Sequence, residues 1–275
     1  MKGKKLCWER NALYMIKLIA TDLDGTLLDE EKNLPPDFLS LLDQLLKKGV
    51  HFVAASGRSS TSLRGQFGPY DTQVTCICDN GACLMEKGII TETSPLPRET
   101  IHRIIEVCRT VPEISLVLAG AHNAHISPYT EEFAWELERY YPRHELHENL
   151  EHVTEGIFKI AVCDMKGAAV NSYPVLKAEF GNSLSMAVSG EHWMDIMNPG
   201  VNKGSALQKL QRKLGISSEE TMAFGDYYND VEMLQQAAYS FVMENANPDL
   251  RQYGRYLAKS NREYGVPQAI RQYAL

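Results

Sequence analysis

Met15-Ile16-Lys17-Leu18-Ile19-Ala20-Thr21-Asp22-Leu23-Asp24-Gly25-Thr26 runs an apolar stretch straight into two carboxylates spaced i, i+2. The apolar part has the length and composition of a buried β-strand. Carboxylates at the end of such a strand are costly to bury unless a metal, a cation or a proton compensates them. Asp22 and Asp24 therefore mark a candidate site where a cation sits between acidic groups. A loop with Asx-turn chemistry is the plainer alternative for the same residues.

Working outward, strands alternate with amphipathic helices at both ends of the chain. Phe38, Leu41, Leu42, Leu45 and Leu46 fall at helical spacing over 36–48, and Gly49 supplies the stop. Val50 to Ala55 reads as a second strand ending in Ser56-Gly57-Arg58, and Val74 to Cys78 as a third ending in Asp79-Asn80-Gly81. The last third repeats the pattern: a helix over 203–214, a strand over 221–224 ending in Gly225-Asp226, a helix over 229–238 and a strand over 239–243. This alternation predicts an α/β fold, a Rossmann-like parallel sheet with ligands at the carboxyl ends of its strands.

Residues 84–190 read differently, with a Lys87-Gly88 hairpin, helices near 98–110, 130–141 and 168–180, and strands near 114–118, 157–163 and 184–188. They are expected to form an α+β module inserted into a core made of 15–83 and 191–275. Residues 1–14 read as an N-terminal extension, expected to be poorly ordered, with Met15 a plausible alternative start.

Composition narrows the function classes. Of 275 residues, 44% are hydrophobic and 23% charged, as in an ordinary globular enzyme, and the formal charge is −7. Without a lysine or arginine block, neither a nucleic-acid surface nor a polybasic membrane contact is expected. No apolar stretch approaches the ~20 residues needed to span a bilayer, and the extension lacks the apolar segment of a secretory signal. The expected location is the cytoplasm. The 6 cysteines form no CxxC pair and read as small buried apolar residues rather than zinc ligands or disulfides. His144, His147 and His152 lack an i, i+4 repeat and give no metal-site signal. His122 and His125 in the inserted module and His192 near its return to the core are read as ordinary histidines, with a place facing a substrate as the alternative.

Strand ends and helix starts collect Asp22, Asp24, Ser56, Asp226, Asp230 and Lys203 on one edge of the expected sheet. Hard carboxylate oxygens with room for water suit Mg²⁺. Lys203 at a helix start can set a point charge against a phosphate, and Ser56-Gly57 offers a hydroxyl and free amides. Taken singly, each has a bland reading: Ser56-Gly57 as a helix N-cap, Gly225-Asp226 as strand-to-turn punctuation. Their joint order is what argues for a metal-plus-anion site.

The chain resembles the haloacid dehalogenase superfamily, most closely its Cof-type phosphatases with an inserted α/β cap. The matching residues are Asp22-Leu23-Asp24-Gly25-Thr26-Leu27-Leu28, Ala55-Ser56-Gly57-Arg58, Asn80-Gly81, Asn202-Lys203-Gly204 and Gly225-Asp226-Tyr227-Tyr228-Asn229-Asp230, with a weaker Glu244-Asn245-Ala246. Glu244 stands where that family commonly has glycine. The resemblance implies a phosphatase acting on small phosphorylated metabolites, sugar phosphates first, in which Asp22 is the nucleophile and forms an aspartyl-phosphate, while Asp24 is the general acid and base. It further implies Mg²⁺ on the Asp22 carboxylate, the Asp24 main-chain carbonyl and Asp226. Ser56, Gly57, Lys203 and Asn229 would bind phosphate, with Asp230 orienting Lys203 or a metal-bound water. A phosphomutase would use the same aspartate pair. Arg98, Arg103 and Arg109 fall at or in one expected helix and Arg139 and Arg143 cluster elsewhere, so no sugar-phosphate clamp is evident. A dehalogenase would not need Asp24 or a metal, and a non-catalytic relative would not need the complete charged set.

Overall fold

The computed structural model describes residues 15–141 and 143–275, so the expectation for residues 1–14 lies outside the described part. Among the described residues, fourteen strands build two sheets. In the first, β1 (Leu18–Thr21), β2 (His51–Ala55) and β3 (Thr75–Cys78) are followed by the hairpin β4 (Cys83–Glu86) and β5 (Ile89–Thr93). The second contains β6 (Ile114–Gly120), β7 (Ala124–Ile126), β8 (His144–Leu146), β9 (Ile157–Asp164), β10 (Ser185–Val188) and β11 (Trp193–Met197). The chain then returns to the first sheet through β12 (Thr221–Gly225), β13 (Tyr239–Met243) and β14 (Tyr256–Ala258).

The first sheet has the order β14-β13-β12-β1-β2-β3-β4-β5 and is parallel from β14 to β3. This is the expected Rossmann-like core. Strand side chains alternate between its faces. Ile19, Phe52, Phe224 and Phe241 pack with the helices Phe38–Lys47 and Gly265–Tyr273 on one side. Leu18, Ala20, Val53 and Ala223 pack with Leu207, Leu210 and Leu234 on the other. Both faces are covered, which is why these strands read as near-continuous apolar runs.

The second sheet, ordered β10-β11-β9-β6-β7-β8, carries the helices Arg98–Cys108 and Ser172–Phe180 on one face and Glu131–Tyr140 on the other. Pairing moves both boundaries expected for this cap. The hairpin β4–β5 continues the core sheet antiparallel to β3, whereas β11 pairs with β9 and β10 in the cap sheet. The division therefore falls between Thr93 and Arg98 and after Met197, rather than at 84 and 190. Turn and strand signals are local, and they do not say which sheet a strand joins. The helix expected over 229–238 is also shorter: a 3₁₀ turn at Tyr228–Asp230 leads into Val231–Gln235.

Candidate active site

Register brings the site together. Thr21 lies opposite Phe224 on one side and Ala54 on the other, so Asp22, Ser56 and Asp226 leave their strands at nearly one level. The Asp22 amide donates to the Phe224 carbonyl at 3.0 Å, extending the ladder by one residue. Gly25 has φ +81°, and a Cβ there would lie 2.3 Å from Asp226 Oδ2, so only glycine lets this loop approach that carboxylate. Asn245 Nδ2 donates to the Gly25 carbonyl at 2.8 Å, and Thr26 Oγ1 to Asp226 Oδ1 at 2.9 Å.

Lys203 opens the helix Lys203–Leu214 and is fully buried, at 0% exposure. Its ammonium donates to Asp22 Oδ1 at 2.6 Å and to Asp230 Oδ1 at 2.7 Å. The second Asp230 oxygen accepts the amides of Asp226 and Tyr227 at 3.1 and 3.2 Å. Burial pushes the Asp22 carboxyl up to about 7, opposed by the Lys203 charge and reinforced by Asp230 and Asp24. Burial likewise raises Asp226, with Asp22 and Asp230 adding to it. Burial works against the Lys203 ammonium, yet Asp22 and Asp230 outweigh it and hold its pKa above the usual lysine range.

Asp22, Asp226 and Asp230 each bring a carboxylate oxygen within 4.8 Å of the others. With all three carboxylates ionised, the single ammonium would leave two negative charges in a buried place. A divalent cation cancels that excess, and all-oxygen donors suit Mg²⁺. The residues present fit such an ion.

The Asp24 carboxylate turns elsewhere. It accepts Arg58 Nε at 2.7 Å and Arg58 Nη2 at 2.5 Å, and also pairs with Lys32. Burial opposes its charge, but Arg58 and Lys32 prevail and hold Asp24 below the usual carboxylate range.

Asp22, Asp24, Ser56, Gly57, Asp226 and Asn229 line one cavity of about 300 Å³, roofed by Tyr140, Tyr141 and Trp193 of the cap. Lys203 and Asp230 stand behind Asp22, touching it or its neighbours rather than the cavity. Ser56 Oγ accepts the Arg58 amide at 3.1 Å, and Asn229 Nδ2 donates to Asn80 Oδ1 at 3.0 Å. His122, His125 and His192 do not line this cavity, in keeping with their plainer reading. His125 is turned to the opposite face of the cap sheet, and His192 contacts the Asp164 carbonyl.

Sequence reading missed the residues that tie cap to core. Lys159 of β9 is 1% exposed and donates to the Gly57 carbonyl at 2.5 Å, with Asp79 and Asp195 each 3.3 Å away. Asp195 of β11 accepts Asn80 Nδ2 at 2.6 Å. Asp79 and Asn80 hold φ of +49° and +52°, a left-handed turn that Asp and Asn tolerate better than other side chains. A lysine in the middle of an apolar strand was the available signal, since an unpaired buried ammonium is not tolerated. The cysteines Cys76, Cys78, Cys83, Cys108 and Cys163 are free and buried, as expected.

Residues 19–270 match the model of the haloacid dehalogenase-like hydrolases. The 5-amino-6-(5-phospho-D-ribitylamino)uracil phosphatase of Escherichia coli is 30% identical over 93% of this chain and 95% of its own. A phosphatase of the same designation from Bacillus subtilis is 26% identical over 94% of this chain and 96% of its own. The crystal structure of a Streptococcus mutans protein superimposes with a TM-score of 0.88 at 32% identity, covering 94% of this chain and 98% of that one. The chain belongs to the haloacid dehalogenase-like hydrolases, on their Cof-type phosphatase branch.

Proposed function

We propose that the chain is a Mg²⁺-dependent phosphatase that cleaves phosphate monoesters of small metabolites, sugar phosphates being the leading class. The observation that carries this reading is Lys203, buried between Asp22 and Asp230 beneath a capped cavity that also presents Asp24, Ser56 and Asn229. In it, an Asp22 oxygen attacks phosphorus and the ester oxygen leaves, giving an aspartyl-phosphate that water then hydrolyses. Ser56, Gly57 and Asn229 hold the phosphoryl oxygens, and the fixed charge of Lys203 acts on them from behind Asp22. Asp22, Asp226 and the Asp24 main-chain carbonyl would hold Mg²⁺, with Asp230 positioning Lys203. When bound, the ion supplies the charge neutralisation that lets a carboxylate approach a phosphate dianion.

Asp24 donates a proton to the leaving oxygen and later accepts one from water. In its ion pairs with Arg58 and Lys32 it is held ionised. An arriving phosphoryl group competes for those two cations, and the released Asp24 can then take up the proton it must deliver. The cavity is at the small end of ligand pockets, which suits a metabolite rather than a phosphoprotein or nucleic acid. Arg98, Arg103, Arg109, Arg139 and Arg143 do not line it, which disfavours a phosphomutase clamp.

A second reading of the substrate is favoured by the Tyr140, Tyr141 and Trp193 roof. Such a surface suits a sugar phosphate that also carries a planar ring, as in the ribitylaminouracil phosphate for which two relatives are named. The test is phosphate release from a panel of phosphorylated sugars and ring-bearing ribityl phosphates, with Mg²⁺ or EDTA. Asp22→Asn is expected to lower release by at least about 10³-fold. Undiminished Mg²⁺-dependent release from that variant would overturn the nucleophile assignment, and isomerised product without free phosphate would indicate the mutase.

A further inference from the structure

A second group of metal-ligating side chains lies in the cap, on the sheet face opposite the cavity roof. His125 of β7 is only 5% exposed, and its Nδ1 lies 2.9 Å from His147 Nε2. Glu145 Oε2 is 3.7 Å from each of those two nitrogens. Tetrahedral zinc with bonds near 2.0–2.1 Å separates its ligand atoms by about 3.3 Å, between the distances found here. A shift of a few tenths of an ångström would bring all three donors onto one ion.

The surroundings are arranged around these donors. The other ring nitrogen of His125, Nε2, lies 2.9 Å from Glu155 Oε2. That carboxylate holds the proton on Nε2 and leaves the Nδ1 lone pair directed at His147 and Glu145. A carboxylate behind a ligating histidine is the usual device for fixing tautomer and ring orientation. Glu155 is itself held by the His122 amide at 2.7 Å. It also needs Gly120, where a Cβ would come within 2.5 Å of its carboxyl carbon. Asn123 Nδ2 donates to Glu145 Oε1 at 2.7 Å, leaving Oε2 free for the third position.

We propose that His125, His147 and Glu145 bind one Zn²⁺ ion, with Glu155 positioning His125 and water completing the coordination. Two imidazoles and one carboxylate favour zinc over magnesium. The ion ties edge strand β8 to β7, which two short strands hold only weakly by backbone pairing. His144, at the start of β8, hydrogen-bonds the carbonyl of the roof residue Tyr141 at 2.8 Å, so the site braces the margin of the active-site roof.

The untagged chain carrying Asp226→Asn, which disables the core carboxylate cluster as a competing site, is stripped with EDTA and titrated with Zn²⁺ by calorimetry. One ion per chain is expected, with a rise in thermal midpoint, visible d–d absorption when Co²⁺ is used, and no displacement by millimolar Mg²⁺. His147→Ala and Glu145→Gln, both at solvent-accessible positions, should fold normally and abolish or greatly weaken binding. Glu155→Gln should weaken it by about 10–100-fold while sparing the metal-free fold. Absence of saturable binding, or unchanged affinity in both His147→Ala and Glu145→Gln, would overturn the proposal.

Discussion

Asp22 and Asp230 share the Lys203 ammonium while Asp226 stands beside them without it, and the consequence is a site whose charge state depends on pH and on metal. Asp22 is raised from 3.8 to about 7, so the folded state binds a proton that the unfolded state has lost above roughly pH 4. For a carboxyl raised in this way, stability falls as pH rises from about 4 to about 7. Metal-free protein is therefore expected to show a lower thermal midpoint at pH 8 than at pH 5.5 from this contribution. Mg²⁺ should restore it at pH 8 and have less effect at pH 5.5, where protons compete for the same oxygens. Calorimetry with EDTA or Mg²⁺ at the two pH values checks this. A Mg²⁺ stabilisation larger at pH 5.5 would contradict it.

The helix Lys203–Leu214 shows how an ordinary element is made to serve the site. Asn202 Oδ1 accepts the Ser205 amide at 2.7 Å and Ser205 Oγ accepts the Asn202 amide at 3.1 Å, a reciprocal cap that fixes the first turn. Gly204 lets that turn lie against the Glu232 main chain, 2.4 Å from where a Cβ would sit. Gly215, at φ +67°, ends the helix. Because Lys203 is the first helical residue, the cap fixes an active-site charge as well as a helix end. Asn202→Ala is expected to cost about 1 kcal/mol of stability and to lower kcat/KM about tenfold. Ser217→Ala, which removes a comparable cap from the 3₁₀ turn Ser218–Glu220, should leave kcat/KM unchanged. Equal losses of activity in the two variants would separate the cap from the function.

Across the whole molecule, cap and core meet over buried charge. Lys159 is the counter-ion for Asp79 and Asp195 and also holds the carbonyl of Gly57, beside Ser56. Burial raises Asp79 to about 6 despite Lys159, and Asp79 Oδ1 has no hydrogen-bond partner among the described residues. Removing one member of such a cluster leaves uncompensated charge. Lys159→Met is therefore expected to cost about 3–5 kcal/mol in urea denaturation. Adding Asp195→Asn should return part of that loss, because the two positions are coupled. Additive losses would mean that the ammonium does not serve these carboxylates.

The amino-acid sequence by itself determined the α/β core, the succession of strands and helices, and the placing of Asp22, Ser56, Asp226 and Lys203 at strand ends and a helix start. Those features follow from local periodicity, turn chemistry and the cost of burying charge, all of which act over a few residues. Tertiary structure alone decided which sheet the hairpin β4–β5 and the strand β11 would join, since pairing depends on an edge far away in sequence. It also decided that Asp24 turns to Arg58 and Lys32, and that Lys159 reaches 102 residues back to Gly57. His125, Glu145, His147 and Glu155 were unremarkable along the chain because their spacing carries no ligand pattern. Strands β7 and β8 bring three of them together, and the turn into β9 supplies the fourth.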